Sequence, residues 1–105
     1  MADPPLAPDQ CCTMTEVRVA IDALDVELVA LLARRFAYMR AAARIKPERD
    51  QVRDEARKGQ VIANARKNAE DLGLPPELVS ELWERLVEGS IAYEFKAWDS
   101  HRRAD

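Results

Sequence analysis

Residues 13–46 read TMTEVRVAIDALDVELVALLARRFAYMRAAARIK. Thr13 and Glu16 have the spacing of a capping box, in which each side chain closes the other's free backbone N–H, so a helix starts at Met14. From there a seam of period 3.5 runs through Met14, Val17, Ile21, Leu24, Leu28, Leu31, Arg35, Tyr38, Ala42 and Ile45. No Gly or Pro interrupts it before Pro47. The stretch predicts one unbroken helix of about 33 residues, roughly 50 Å long. Every seam position is apolar, aromatic or Ala except one, Arg35.

On the N-terminal side, residues 1–12 contain three prolines and no periodicity, which predicts a flexible tail before a single domain over 13–103. On the other side, residues 46–51 are charged and contain Pro47, as a loop would. A second helix is expected over 52–72, with Val61, Ile62, Ala65, Ala69 and Leu72 on its apolar side and Gly73 as its stop. Pro75 and Pro76 then open a third helix, where a missing N–H does no harm. Its apolar positions are Val79, Leu82, Trp83, Leu86, Val87, Ile91, Phe95 and Trp98. The fold class is therefore all-α, with one long and two shorter helices per chain. The first helix is longer than a 105-residue domain is wide, since the radius of gyration for that length is about 13 Å. Two short helices cover only part of its seam. A second copy of the chain would cover the rest, which points to an intertwined helical homodimer.

The composition excludes several function classes. A net charge of −3 suits neither nucleic acid nor an anionic membrane surface. No apolar run approaches the ~18 residues of a membrane span. The start, MADPPLAPDQ, has neither the basic nor the apolar part of a signal peptide. A cytoplasmic location follows as the expectation, with Cys11 and Cys12 reduced. Two thiols are too few for a closed zinc site, which takes about four ligands. Neither a metal nor a cofactor is expected.

The chemistry is carried by residues that break the apolar pattern. A guanidinium at 35 needs an anion, because a buried unpaired charge is costly; that anion is either a protein carboxylate or a ligand. Lys46 follows eleven residues later, and eleven helical steps return to within ~20° of the same face, about 16 Å along it. Arg18 points about 100° away on the same helix, so it reaches such a site only from the partner chain of an antiparallel dimer. Arg57 lies one turn before Val61 and borders the apolar side of the second helix. On the third helix the stripe Trp83, Leu86, Ser90, Glu94 begins apolar and turns polar, and Glu94 there either pairs with Lys46 or an Arg or faces a ligand. The set lacks a nucleophile with an adjacent base, metal-ligand spacing and a Gly-rich phosphate loop. It describes a pocket for a small dianion, with one carboxyl group among the cations.

These residues resemble a known family. Val17 to Asp25, followed by Leu31 to Arg35, is similar to the R-x-x-I-D-x-L-D and L-L-x-x-R patterns of the first helix of the all-helical chorismate mutases. In that family a Lys follows eleven residues on, so Arg18, Arg35 and Lys46 fall on its three cationic positions. Asp54 to Arg57 resembles the D-x-x-R that opens its second helix, and Ser90 to Glu94 the S-x-x-x-Q of its third. Glu94 stands where many members have Gln. Lys58 stands where mutases often have a Glu that holds the substrate's ring hydroxyl, leaving Asp54 or Glu55 for that task. A close relative, isochorismate-pyruvate lyase of salicylate and siderophore synthesis, shares the cationic positions and a stretch similar to Arg34 through Lys46. Asp54 and Ser90 look more like the mutases.

The resemblance implies an isomerase that converts chorismate to prephenate by a Claisen rearrangement, as in the shikimate pathway to the aromatic amino acids. The lyase is the alternative, and a non-catalytic helical dimer module a more distant one. Arg35, the partner's Arg18 and supporting Arg57 would fix the substrate carboxylates, for which planar guanidinium forks are suited. Arg49 or Arg53 could take the place of Arg57. Lys46 and Glu94 would donate to the ether oxygen as its C–O bond breaks. The loop from Lys46 to Arg53 would close over the substrate.

Overall fold

The computed structural model describes residues 4–103. They form three helices, α1 (Met14–Ile45), α2 (Glu55–Asp71) and α3 (Pro76–Arg102), with 3-10 turns at Pro8–Gln10 and Arg49–Gln51. No described residue is in a strand, so the all-α expectation holds. The chain divides into two compact units, Met1–Phe36 and Ala37–Asp105.

In the first unit the capping box forms as the spacing predicts. The Glu16 backbone N–H donates to Thr13 Oγ1 at 3.2 Å, and Glu16 Oε1 accepts from the backbone N–H groups of Thr13 at 2.9 Å and Cys12 at 2.8 Å. The backbone donors, Cys12 first, hold the Glu16 carboxyl below its ordinary range. With those orphan donors satisfied, α1 starts at Met14 and runs 32 residues to Ile45. Its seam is largely uncovered within the single chain: Ile21, Leu24, Leu28 and Leu31 are each about half exposed.

The second unit holds the hydrophobic core. Lys58 of α2 meets Glu84 and Glu88 of α3, whereas Arg66 meets Glu77, so the two helices run antiparallel. Between them Val52, Val87 and Ile91 are buried, with Val61, Ile62, Trp83, Phe95 and Trp98 packed around them. Ala65 and Ala69 are buried on α2, and Ala43 on the last turns of α1. The turn between α2 and α3 is a Schellman motif. Gly73 takes φ +73°, Leu74 N–H donates to Ala69 O at 2.8 Å, and Gly73 N–H donates to Glu70 O at 3.2 Å. Pro76 then occupies the first turn of α3.

The second helix departs from its expected start at 52. Asp54 accepts the Arg57 backbone N–H at 3.0 Å and so becomes the N-cap, which delays α2 to Glu55. Val52 instead follows the 3-10 turn and fills the core at 3% exposure. Leu72 and Leu82, expected on the apolar faces, are exposed. Leu72 is already the C-cap of α2, and Leu82 is uncovered in the single chain. No helix among the described residues is long and apolar enough to cross a membrane.

Ion pairs fasten the 46–53 loop and α2 to α3. Arg53 grips Glu88 with two hydrogen bonds of 3.1 and 2.9 Å, and Lys58 Nζ reaches the same carboxylate at 2.7 Å. Arg53 and then Lys58 pull the Glu88 pKa down from 4.5 to about 2. A depressed carboxylate stabilises the fold above its unfolded value and loses that contribution as pH falls through the folded value. Stability held by Glu88 is therefore complete above about pH 5 and drains away between about 4.5 and 2. Urea midpoints measured from pH 6 to pH 2 should show Glu88→Gln below wild type at the upper end and converging on it near pH 2. A constant difference between the two curves would contradict this.

Candidate active site

Helix α1 ends at Ile45, yet Lys46 N–H still donates to Ala42 O at 2.9 Å, so Lys46 leaves the helix end in a defined direction. Its Nζ donates to Glu94 Oε2 at 2.7 Å. Glu94 is 4% exposed, while the Lys46 side chain remains 30% exposed. The carboxyl group is thus at the closed side of the contact and the ammonium at the open side. Glu94 sits one turn after Ser90 and beside Ile91, on the part of α3 that faces the core. A carboxylate buried there needs a cation, and Lys46 supplies it. Ser90 is also buried, and its Oγ donates to Leu86 O at 2.7 Å, a back-bond to its own helix.

Lys46 and Glu94 therefore meet within Ala37–Asp105, with the buried Ser90 one turn before Glu94 on α3. Asp54 and Arg57 occupy the first turn of α2, where Asp54 caps the helix and the exposed Arg57 donates to Gln60 Oε1 at 2.7 Å. Arg18 and Arg35 lie on α1 within Met1–Phe36; Arg18 is exposed and Arg35 half-buried.

Arg49 and Arg53, expected as alternatives to Arg57, are both paired with acids of this chain. Arg49 donates to both Asp99 oxygens at 2.9 and 3.2 Å and lies 4.5 Å from the Phe95 ring centroid. The pairing raises the Arg49 pKa and lowers that of Asp99. Arg53 is held by Glu88 and Glu55. Lys58, at the position where a Glu was missed, joins Glu84 at 2.8 Å and Glu88 at 2.7 Å, and these two hold its pKa up.

Sequence reasoning assigned Trp98 to the apolar core and gave Arg102 no role. In the structure Trp98 Nε1 donates to Lys46 O at 3.0 Å and Arg102 Nη2 to the same oxygen. The signal was present as a step of four from Glu94 through Trp98 to Arg102.

Chemically, the Lys46 ammonium has three N–H donors, of which Glu94 takes one. The remainder can meet an oxygen of an anionic ligand. Glu94 can donate beside it only while protonated. Such a pair can orient a small anion and stabilise charge on an oxygen.

The sequence model of the chorismate mutase type II family matches residues 17–95. The isochorismate pyruvate lyase of Pseudomonas aeruginosa is 30% identical over 97 residues, which make up 92% of this chain and 96% of that protein. The T-protein of Enterobacter agglomerans is 30% identical over 82 residues, 77% of this chain but 22% of that protein. All-helical in its described residues and matched by that model over residues 17–95, the chain belongs to the chorismate mutase type II family.

Proposed function

We propose that the chain is a cytoplasmic enzyme that rearranges chorismate to prephenate. The observation that carries this reading is the 2.7 Å contact of Lys46 with the buried Glu94. Chorismate carries two carboxylates and reacts through a cyclic, chair-like transition state without a covalent intermediate. The enzyme has to hold the enolpyruvyl arm over the ring and stabilise negative charge growing on the ether oxygen. Lys46 is a donor for that oxygen, and Glu94 joins it only when its carboxyl group carries a proton. Arg35, Arg57 and the Arg18 of a second copy bind the carboxylates, and holding the arm near its reactive geometry removes much of the entropic barrier. Asp54 and Ser90 complete the substrate contacts.

A homodimer belongs to this reading. The exposed seam of Ile21, Leu24, Leu28 and Leu31 is what a second α1 would cover, and an Arg18 offered across that seam joins the partner's Lys46. Arg18→Ala and Lys46→Ala chains, each inactive alone, should regain about a quarter of the wild-type rate when mixed and refolded, because random pairing restores one intact site in half of the dimers. A mixture that stays inactive would place Arg18 in its own subunit's site.

The lyase is the second reading, favoured by the lyase relative that matches over 96% of its length. Asp54 and Ser90 favour the mutase. Purified protein should be offered chorismate and isochorismate separately, with prephenate, salicylate and pyruvate measured. The expected result is the higher kcat/KM on chorismate. Faster release of salicylate and pyruvate from isochorismate would put the lyase first, and turnover of neither would end both readings.

A further inference from the structure

We infer that Trp98 and Arg102 are positioning residues for Lys46, a role that rests on the proposed use of Lys46 as a donor to substrate. Glu94, Trp98 and Arg102 occupy successive turns of α3 and form one stripe. That stripe holds Lys46 at both ends. Glu94 takes the ammonium at 2.7 Å, while Trp98 Nε1 at 3.0 Å and Arg102 Nη2 at 2.6 Å converge on the carbonyl oxygen. Arg102 Nη1 also donates to Ala43 O at 2.7 Å, and its guanidinium lies 4.1 Å from the Trp98 ring centroid.

The last carbonyls of a helix have no intrahelical partner and carry partial negative charge, so a guanidinium placed there is stabilising in itself. A cap alone would be satisfied at Ala43, inside α1. Here two donors from different side chains also meet on Lys46, the first residue beyond the helix. A lysine side chain has a flexible four-carbon stem, so its ammonium is only as well placed as its backbone. The neighbouring stripe repeats the device three residues later, where Phe95 and Asp99 hold Arg49. The end of α3 thus fixes where the loop leaves α1 and, through it, where the Lys46 ammonium stands.

Two variants test this in the full-length protein. Trp98→Phe keeps a ring beneath Arg102 but removes the N–H, and Arg102→Ala removes the fork while leaving the buried Val52, Val87 and Ile91 in place, with urea midpoints of both variants checking that they stay folded. Both should lower kcat about tenfold with little change in KM, as expected when a reacting group is displaced by a fraction of an ångström. The second readout needs no substrate. In protein labelled at lysine, the Lys46 side-chain NMR signal, assigned with Lys46→Arg, should move toward those of exposed lysines in both variants. A Lys46 signal that stays at its wild-type position in both variants would overturn the inference, as would a moved signal with unchanged kcat. If the wild type turns over neither chorismate nor isochorismate, the catalytic reading fails by itself, and the inference fails with it as a statement about catalysis.

Discussion

Lys46→Ala should lower kcat/KM on chorismate by about 10²- to 10³-fold, the usual loss when one preorganised donor is removed from a developing oxyanion. The same substitution should destabilise the protein at neutral pH. Glu94 is 4% exposed and takes its cation from Lys46 at 2.7 Å, so removing that cation leaves a buried charge uncompensated. Breaking a fully buried pair costs about 3–5 kcal/mol. The Lys46 side chain is 30% exposed, so water screens part of this and about 2 kcal/mol is the better figure. The two losses separate in the double variant. Adding Glu94→Gln to Lys46→Ala removes the stranded charge and should return much of the stability while leaving the rate low. Urea midpoints and steady-state rates on the three proteins check both halves. A Lys46→Ala rate within tenfold of wild type would remove Lys46 from the chemistry.

The second large effect is a change in pH dependence. A carboxyl group donates a hydrogen bond only while it holds its proton, whereas an amide donates at every pH. If Glu94 donates to the ether oxygen, wild-type activity should be highest at acidic pH and fall by about tenfold per pH unit once the proton is lost. Glu94→Gln should be flat over the same range and exceed wild type on the alkaline side. The test is sharp because the Lys46–Glu94 contact is one that an ionised carboxylate also makes. A Glu94→Gln profile with the same alkaline fall as wild type would mean that another group titrates and that position 94 is not the donor.

The two predictions address one contact that local pattern only half describes. Periodicity placed Ser90 and Glu94 where an apolar stripe turns polar, and eleven helical steps placed Lys46 on the Arg35 face. They offered Glu94 a partner in Lys46 or an Arg but could not choose between these, because any cation neutralises a carboxylate equally well in sequence. The same ambiguity left Arg49, Arg53 and Lys58 open, and each found an acid on α3 instead. Val52 was read as the start of a helix because its apolar side chain was given more weight than the N-cap residue two positions later. Asp54, as the N-cap, decided it.

What the sequence alone determined was everything set within a few residues: the Thr13–Glu16 box that starts α1, the unbroken run to Ile45, the Gly73 stop, and the proline entry to α3. These depend on backbone groups seeking partners three or four positions away, so the information is local. The tertiary structure decided the contacts that span the chain: Lys46 with Glu94, 48 residues apart, and the hold of Trp98 and Arg102 on the end of α1. Such pairs exist only once packed helices fix a register between distant residues, and that register comes from burying Val52, Val87 and Ile91 together rather than from any one segment's pattern.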